Sequence, residues 1–132
     1  MCRSCDVQID GVWTHLGVGQ SYETPDAIAH VPFAISRLDA NSIQISPQGI
    51  TITHDAFSDA LHYLRANRHD QHNPCEIGSN DDPALAGPLC IAARARNANV
   101  RCINYILPIL AVLDIVGIGS ARPNTTWVTR CS

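Results

Sequence analysis

Alternation of apolar and polar residues is clearest in two β-branched stretches, residues 42–45 and 50–53. Successive side chains of a strand point to opposite faces, so this alternation places the isoleucines together on one face. The four residues between them have Pro47 second and Gly49 fourth, which suits a type I turn. The sequence therefore predicts a β-hairpin that covers a core with one face. The isoleucines on that face would be Ile43, Ile45, Ile50 and Ile52.

The amino-terminal thirty or so residues carry a weaker pattern. Alternation over residues 7–13 predicts a short strand that ends near Gly11. Residues 17–21 contain two glycines and predict a loop. The residue types at 24–26 are those that begin helices, so we expect a short helical turn over residues 24–28.

Helical periodicity replaces alternation directly after the hairpin. Thr53 is a residue type that accepts a hydrogen bond from the first turn of a helix. Phe57, Leu61 and Leu64 then recur at helical spacing and form one apolar stripe. The sequence predicts a helix over residues 53–68.

Two further short elements follow this helix. Residues 75–78 predict a short strand, and residues 79–83 have the composition of a turn. A second helix is expected from residue 85 or 88 to about 96. Its predicted inward positions are Leu89, Ile91 and Ala92.

A third helix is predicted over residues 100–115, with Asn99 as its N-cap. Pro108 lacks a backbone N–H, so it should kink or divide this helix. Two strands joined by an exposed loop are expected over residues 116–129. The predicted apolar stripe of the third helix is Ile103, Ile106, Leu107, Leu110 and Leu113. The predicted outward residues are Arg101, Asn104, Tyr105 and Pro108.

The order helix, strand, helix, helix and β-hairpin over residues 53–129 resembles the winged helix-turn-helix superfamily. The passage 113–116 resembles the family's exit from its third helix, with Asp114 where the family often has glycine. The expected fold class is α+β. A β-rich part, residues 1–52, would pack on the winged-helix part in one domain of 132 residues.

The resemblance implies that the third helix enters the major groove of duplex DNA and reads base edges with its first outward residues. Those residues are Arg101, Asn104 and Tyr105 here. Phosphate contacts would fall to Arg94, Arg96 and Arg122. The formal net charge of -3 and the pI of about 6.0 provide no general attraction to nucleic acid.

A second interpretation is a protein-interaction or homodimerisation module of the same shape that binds no nucleic acid. It predicts an apolar surface around Pro108, Val112 and Trp127. A homodimer is expected under the nucleic-acid interpretation, since many winged-helix proteins bind two half-sites, and it is one form of the second interpretation. The sequence contains no catalytic signature, so an enzyme is not expected.

A third interpretation is metal binding. His69, His72 and Cys75 are zinc-ligand types within seven positions, and Cys2 or Cys5 would complete a tetrahedral set. The alternative is a polar, solvent-exposed connection after a helix. No other cofactor is expected.

The amino-terminal residues lack the apolar core of a signal peptide. The apolar run over residues 103–118 is shorter than the roughly 20 residues of a membrane-spanning helix. We therefore expect a cytoplasmic protein with reduced cysteines, no membrane partner, and a buried inert thiol at Cys90.

Overall fold

The computed structural model describes residues 4–129, which form an α+β fold with four helices and two antiparallel sheets. The helices are α1 (Cys5–Trp13), α2 (His54–Ala66), α3 (Pro88–Arg94) and α4 (Ile103–Val112). The strands are β1 (Ser21–Glu23), β2 (Pro32–Leu38), β3 (Ser42–Ser46), β4 (Ile50–Thr53), β5 (Cys75–Glu76), β6 (Val116–Gly119) and β7 (Thr125–Val128). Within this part of the chain, every helix is too short or too polar to cross a lipid bilayer.

The predicted hairpin is confirmed as β3 and β4, which are two strands of a four-stranded sheet in the order β1-β2-β3-β4. Ile43 pairs with Ile52, and Ile45 pairs with Ile50, so all four share one face. Three of them are fully buried, and Ile50 is partly buried. The turn differs from the expected type I turn, because Gly49 has a φ of 69° and its N–H donates to the Ile45 carbonyl at 2.8 Å.

The predicted strand over residues 7–13 is wrong, because this segment is helix α1. Ser4 caps the helix by accepting a hydrogen bond from the Val7 N–H at 3.3 Å. Ile9 and Val12 are buried and Cys5 is partly buried. This spacing of four and three residues is helical, and it fits the sequence as well as the alternation that predicted a strand. The helical turn expected over 24–28 is also wrong, since this stretch is an irregular connection between β1 and β2.

The predicted helix at residue 53 is confirmed as α2. The Thr53 hydroxyl accepts a hydrogen bond from the Ala56 N–H at 3.0 Å. Phe57, Leu61 and Leu64 are fully buried, as the stripe predicts. The helix ends at Ala66, earlier than expected.

The element order predicted for the rest of the chain is confirmed. Strand β5 follows α2, then come α3, α4 and the β6–β7 hairpin, and the second sheet has the order β5-β7-β6. Gly117 is paired with Trp127, whose indole occupies the space that a Cβ on Gly117 would need. Trp127 therefore packs across its own hairpin.

The inward positions of α3 differ from the prediction. Leu89 is buried as expected, but Ile91 is 37% exposed and Ala92 only partly buried. Cys90 and Ala93 take the buried positions instead, because the helix is rotated relative to the predicted stripe. The thiol of Cys90 is buried, as predicted.

Helix α4 begins at Ile103, later than predicted, and Asn99 does not cap it. Asn99 instead has a left-handed φ of 57° in the turn before the helix. The helix continues through Pro108 and is not divided there. Its predicted apolar stripe is buried from Ile103 to Leu110.

The outward face predicted for α4 is wrong at two positions, since Tyr105 and Pro108 are both buried. The reason is the first sheet, which the sequence pattern did not place here. Strand β1 packs against α4, and the ring of Phe33 on β2 meets the ring of Tyr105 edge-on at 5.1 Å. The buried side chains of both sheets and all four helices form one hydrophobic cluster.

Candidate functional site

A cleft of about 390 Å³ opens where the two sheets meet the start of α4. Four stretches of chain line it: the connection 24–31, residues 76–79 beyond β5, residues 101–105, and residues 123–124 of the β6–β7 loop. Ligand pockets of folded proteins usually have volumes of about 300–1,000 Å³. The cleft is therefore large enough for a small molecule.

The start of α4 provides one wall of the cleft. Arg101, Asn104 and Tyr105 line it together, and no side chain caps the N-terminus of the helix. Tyr105 is 5% exposed and is held by its contact with Phe33. No hydrogen bond joins the Tyr105 hydroxyl to any residue of the range 4–129. This wall therefore includes a ring that is packed against Phe33 and whose hydroxyl makes no hydrogen bond within the described residues.

Two more polar atoms of the cleft have no partner. The Ser79 Oγ and the Asn104 Oδ1 are buried, and neither makes a hydrogen bond within the described residues. A buried polar atom without a partner costs about 1–3 kcal/mol. Both residues line the cleft, but these two atoms have almost no accessible surface, so a molecule in the cleft would bond to them only after the side chains move.

The opposite wall is the connection 24–31, which is closed on itself and fixed to the β6–β7 loop. The Val31 N–H donates to the Thr24 Oγ1 at 2.7 Å, and the Thr24 N–H donates to the Val31 carbonyl at 3.0 Å. Asp26 accepts two hydrogen bonds from Arg122, at 3.0 Å from Nε and 2.5 Å from Nη2. These contacts hold the connection over the start of α4.

The charges around the cleft are mostly paired. The hydrogen bonds from Arg122 hold the pKa of Asp26 below its usual value, and Asp26 in turn raises the pKa of Arg122. Arg101 Nε lies 2.9 Å from the Asp81 carboxylate. Glu76 is exposed, lines the cleft and has no ion-pair partner within residues 4–129. One carboxylate of the cleft is therefore uncompensated.

The structure brings together only some of the residues predicted to contact nucleic acid. Arg101, Asn104 and Tyr105 lie together in the cleft. Arg122 is not in the lining, but it donates hydrogen bonds to Asp26, which is. Arg94, expected to contact phosphates, is 4% exposed and lies inside the molecule. Its guanidinium donates to the carbonyls of Asn80, Asp81 and Asn99 at 2.9–3.2 Å.

Arg96 lies on a different surface from the cleft. Its guanidinium donates two hydrogen bonds to Asp59, at 2.8 and 3.0 Å, and lies 3.5 Å from Asp55. The Asp59 carboxylate raises the pKa of Arg96 above its usual value. Arg96 therefore joins the turn after α3 to α2.

The predicted zinc ligands are not brought together. Within residues 4–129, no three side chains of His, Cys, Asp or Glu are placed to hold a metal ion, so His69, His72 and Cys75 do not form a set. Strand β5 turns Cys75 into the core, where burial raises its pKa, while His72 stays exposed. The Nδ1 of His69 lies 2.9 Å from the Asn73 carbonyl. Cys5 begins α1, and Cys2 lies outside the described residues.

The apolar surface predicted for a homodimer also differs from the structure. Pro108 is buried inside the molecule, and Trp127 is partly buried against Gly117. Of the three predicted residues, only Val112 is strongly exposed, at 70%. These side chains do not provide one broad exposed surface.

Sequence reasoning missed Asp26, Glu76 and Ser79 as cleft residues. The pattern along the chain assigns Asp26 to the start of a helical turn and Ser79 to an ordinary turn. Each lies in or beside a short irregular segment, whose position depends on packing between the two sheets.

Comparisons of the chain with family models, with curated proteins and with solved structures find no match.

Proposed function

We propose that this protein is a small regulatory or binding protein of winged-helix shape that holds a small polar molecule in the cleft at the start of α4. The observation that carries the proposal is the cleft itself, which Arg101, Asn104 and Tyr105 line together with Ser79. The winged-helix assignment is supported by the element order from α2 to β7.

The surroundings of α4 favour a small ligand over duplex DNA. A helix that reads bases must protrude into a groove that is about 12 Å wide. Residues 105–110 of α4 are buried, and β1 packs against the helix. The arginines expected to contact phosphates are already engaged, Arg94 by carbonyls and Arg96 and Arg122 by carboxylates. Duplex binding stays a prediction without geometric support.

A fragment titration followed by ¹H–¹⁵N NMR tests the proposal. The fragments should be small, polar and of different charge: amino acids, dicarboxylates, nucleosides and monosaccharides. We expect at least one class to shift the backbone signals of 24–31, 76–79 and 101–105 in a saturable way. Shifts confined to other surfaces, or none in any class, would refute the proposal.

Matched variants separate the cleft from the rest of α4. Asn104→Ala and Tyr105→Phe remove one polar group each from the cleft wall. Val112→Ala, at the exposed carboxyl end of the same helix, is the control. We expect the first two variants to weaken fragment binding by about tenfold each, the size of one lost hydrogen bond, and the control to leave it unchanged.

A further inference from the structure

Two side chains of opposite charge, Glu76 and Arg101, line the cleft. Glu76 pairs with Thr125 across the second sheet, and the Ile77 N–H donates to the Asn124 carbonyl at 3.0 Å. These contacts fix Glu76 at the end of the cleft formed by the β6–β7 loop. Arg101 contacts Asp81 at 2.9 Å. The cleft therefore has an acidic end and a basic end.

The basic end is suited to a carboxylate. Arg101 offers guanidinium N–H groups, and Asn104 stands in the first turn of α4, whose N-terminus has no side-chain cap. The positive end of a helix dipole favours an anion, and it acts here together with a charged side chain. Asp81 is 82% exposed at the side chain. A surface ion pair of this kind is worth at most about 1 kcal/mol, so an incoming carboxylate can replace it.

The acidic end is suited to an ammonium group. Asp26 and Arg122 neutralise each other, whereas Arg101 pairs with Asp81, which is highly exposed and does not line the cleft. Glu76 is then the one carboxylate in the lining that lacks a partner within residues 4–129. A ligand with only a negative charge would meet this carboxylate uncompensated, and a ligand with only a positive charge would leave the basic end unused.

We propose that the ligand is a short zwitterion, with its carboxylate at Arg101 and Asn104 and its ammonium group at Glu76. This inference rests on the proposed function of the cleft and names the ligand class. The cleft volume of about 390 Å³ limits the ligand to a small molecule. Amino acids with a basic side chain and dipeptides belong to this class. Tyr105 and Ser79 also line the cleft.

The test compares 6-aminohexanoate with hexanoate and hexylamine, which keep the same carbon chain and remove one charge each. Binding is followed by ¹H–¹⁵N NMR titration of the full chain at neutral pH. We expect 6-aminohexanoate to bind at least about tenfold more tightly than either analogue, because each charge-assisted hydrogen bond contributes that much.

Two variants assign the ends of the ligand. Glu76→Gln should reduce the affinity for 6-aminohexanoate to that for hexanoate, and Arg101→Gln should reduce it to that for hexylamine. Glu23→Gln is the matched control, since Glu23 is the chain's other glutamate, is exposed on β1 and does not line the cleft. It removes only an exposed contact with His30 at 3.0 Å, so it should change the affinity far less than Glu76→Gln.

Three results would overturn the inference. One is equal binding of hexanoate and 6-aminohexanoate, another is an effect of Glu23→Gln equal to that of Glu76→Gln, and the last is no binding of 6-aminohexanoate. None of them removes the proposed function if uncharged or singly charged fragments still shift 24–31, 76–79 and 101–105. The proposed function fails separately, when no fragment class shifts these residues.

Discussion

Two asparagines near the start of α4 use the same side chain in opposite ways. Asn97 is 3% exposed, and its amide bonds to the Thr53 N–H at 2.8 Å and to the Thr51 carbonyl at 3.1 Å. It joins the turn after α3 to the first sheet. Asn104 lines the cleft, and its buried Oδ1 has no partner within residues 4–129.

The arginines repeat this contrast. Arg94 is buried with its donors occupied by carbonyls, whereas Arg101 pairs, among residues 4–129, only with the highly exposed Asp81. The turn between α3 and α4, residues 94–102, is thus a closed region in which polar groups hold the fold together. The cleft is an open region, in which the Asn104 oxygen has no hydrogen-bond partner among residues 4–129. Residues of the same polar type can therefore be compared by their hydrogen bonds. Those with all their bonds made stabilise the fold, and those without partners indicate a site.

The largest contrast between the two regions is expected in thiol reactivity. Cys102 belongs to the closed region, and burial raises its pKa to about 12, so almost no thiolate exists at pH 8. Ala29→Cys would place a thiol on the exposed wall of the cleft. Iodoacetamide should alkylate this introduced thiol at least about a hundredfold faster than Cys102, as measured by peptide mass mapping. Equal rates in the folded protein would show that the turn is not closed.

Arg94→Leu should cause the largest loss of stability. It leaves the carbonyls of Asn80, Asp81 and Asn99 without their donors, and we expect a loss of about 3 kcal/mol in the free energy of unfolding. Arg101→Leu should change it by less than about 1 kcal/mol, because an exposed ion pair contributes little. Urea denaturation measures both values. Comparable losses would remove the distinction between the two arginines.

Asn97→Ala should cost about 2 kcal/mol, because the Thr53 N–H and the Thr51 carbonyl lose their partner. Asn104→Ala should be neutral or slightly stabilising, since it removes an oxygen that has no hydrogen bond within the described range. Thermal denaturation of the two variants under one set of conditions gives the comparison. A larger loss for Asn104→Ala would assign that residue to the fold and not to a site.

The smallest effect concerns pH and the wall of the cleft. The pKa of Asp26 is lowered in the folded protein, chiefly by its hydrogen bonds from Arg122. Its stabilising contribution is therefore complete above the ordinary aspartate pKa of 3.8 and is lost as the pH falls through the lower, folded value. NMR signals of 24–31 should shift in this acidic range. Asp26→Asn should abolish that titration, and an unchanged titration in the variant would exclude Asp26 as its cause.

The regular elements were predictable where one pattern dominated. The β3–β4 hairpin and α2 follow from isoleucine alternation, a Thr53 cap and a leucine stripe, which are local properties of the sequence. Helix α1 could not be predicted in this way, because Val7 and Ile9 fit an alternating interpretation of residues 7–13 until Ser4 is recognised as a cap. Two interpretations of a short apolar pattern cannot be separated by periodicity alone.

The candidate site was predictable only in part. The sequence indicated that Arg101, Asn104 and Tyr105 lie together at the start of a helix, and the structure places them in one cleft. It did not indicate that Tyr105 would be covered by Phe33, because that contact joins strands and a helix far apart in the chain. The burial of Arg94 could not be predicted either, because residue spacing does not locate the turn that contains its carbonyl partners.

The most direct test of the account is one ¹H–¹⁵N NMR experiment on the full chain, titrated in turn with the polar fragments and with duplex DNA at low salt. The account predicts saturable shifts of 24–31, 76–79 and 101–105 with a fragment, and no saturable shift of 101–105 with the duplex. Saturable shifts of 101–105 with duplex DNA, together with no response of the cleft to any fragment, would contradict it.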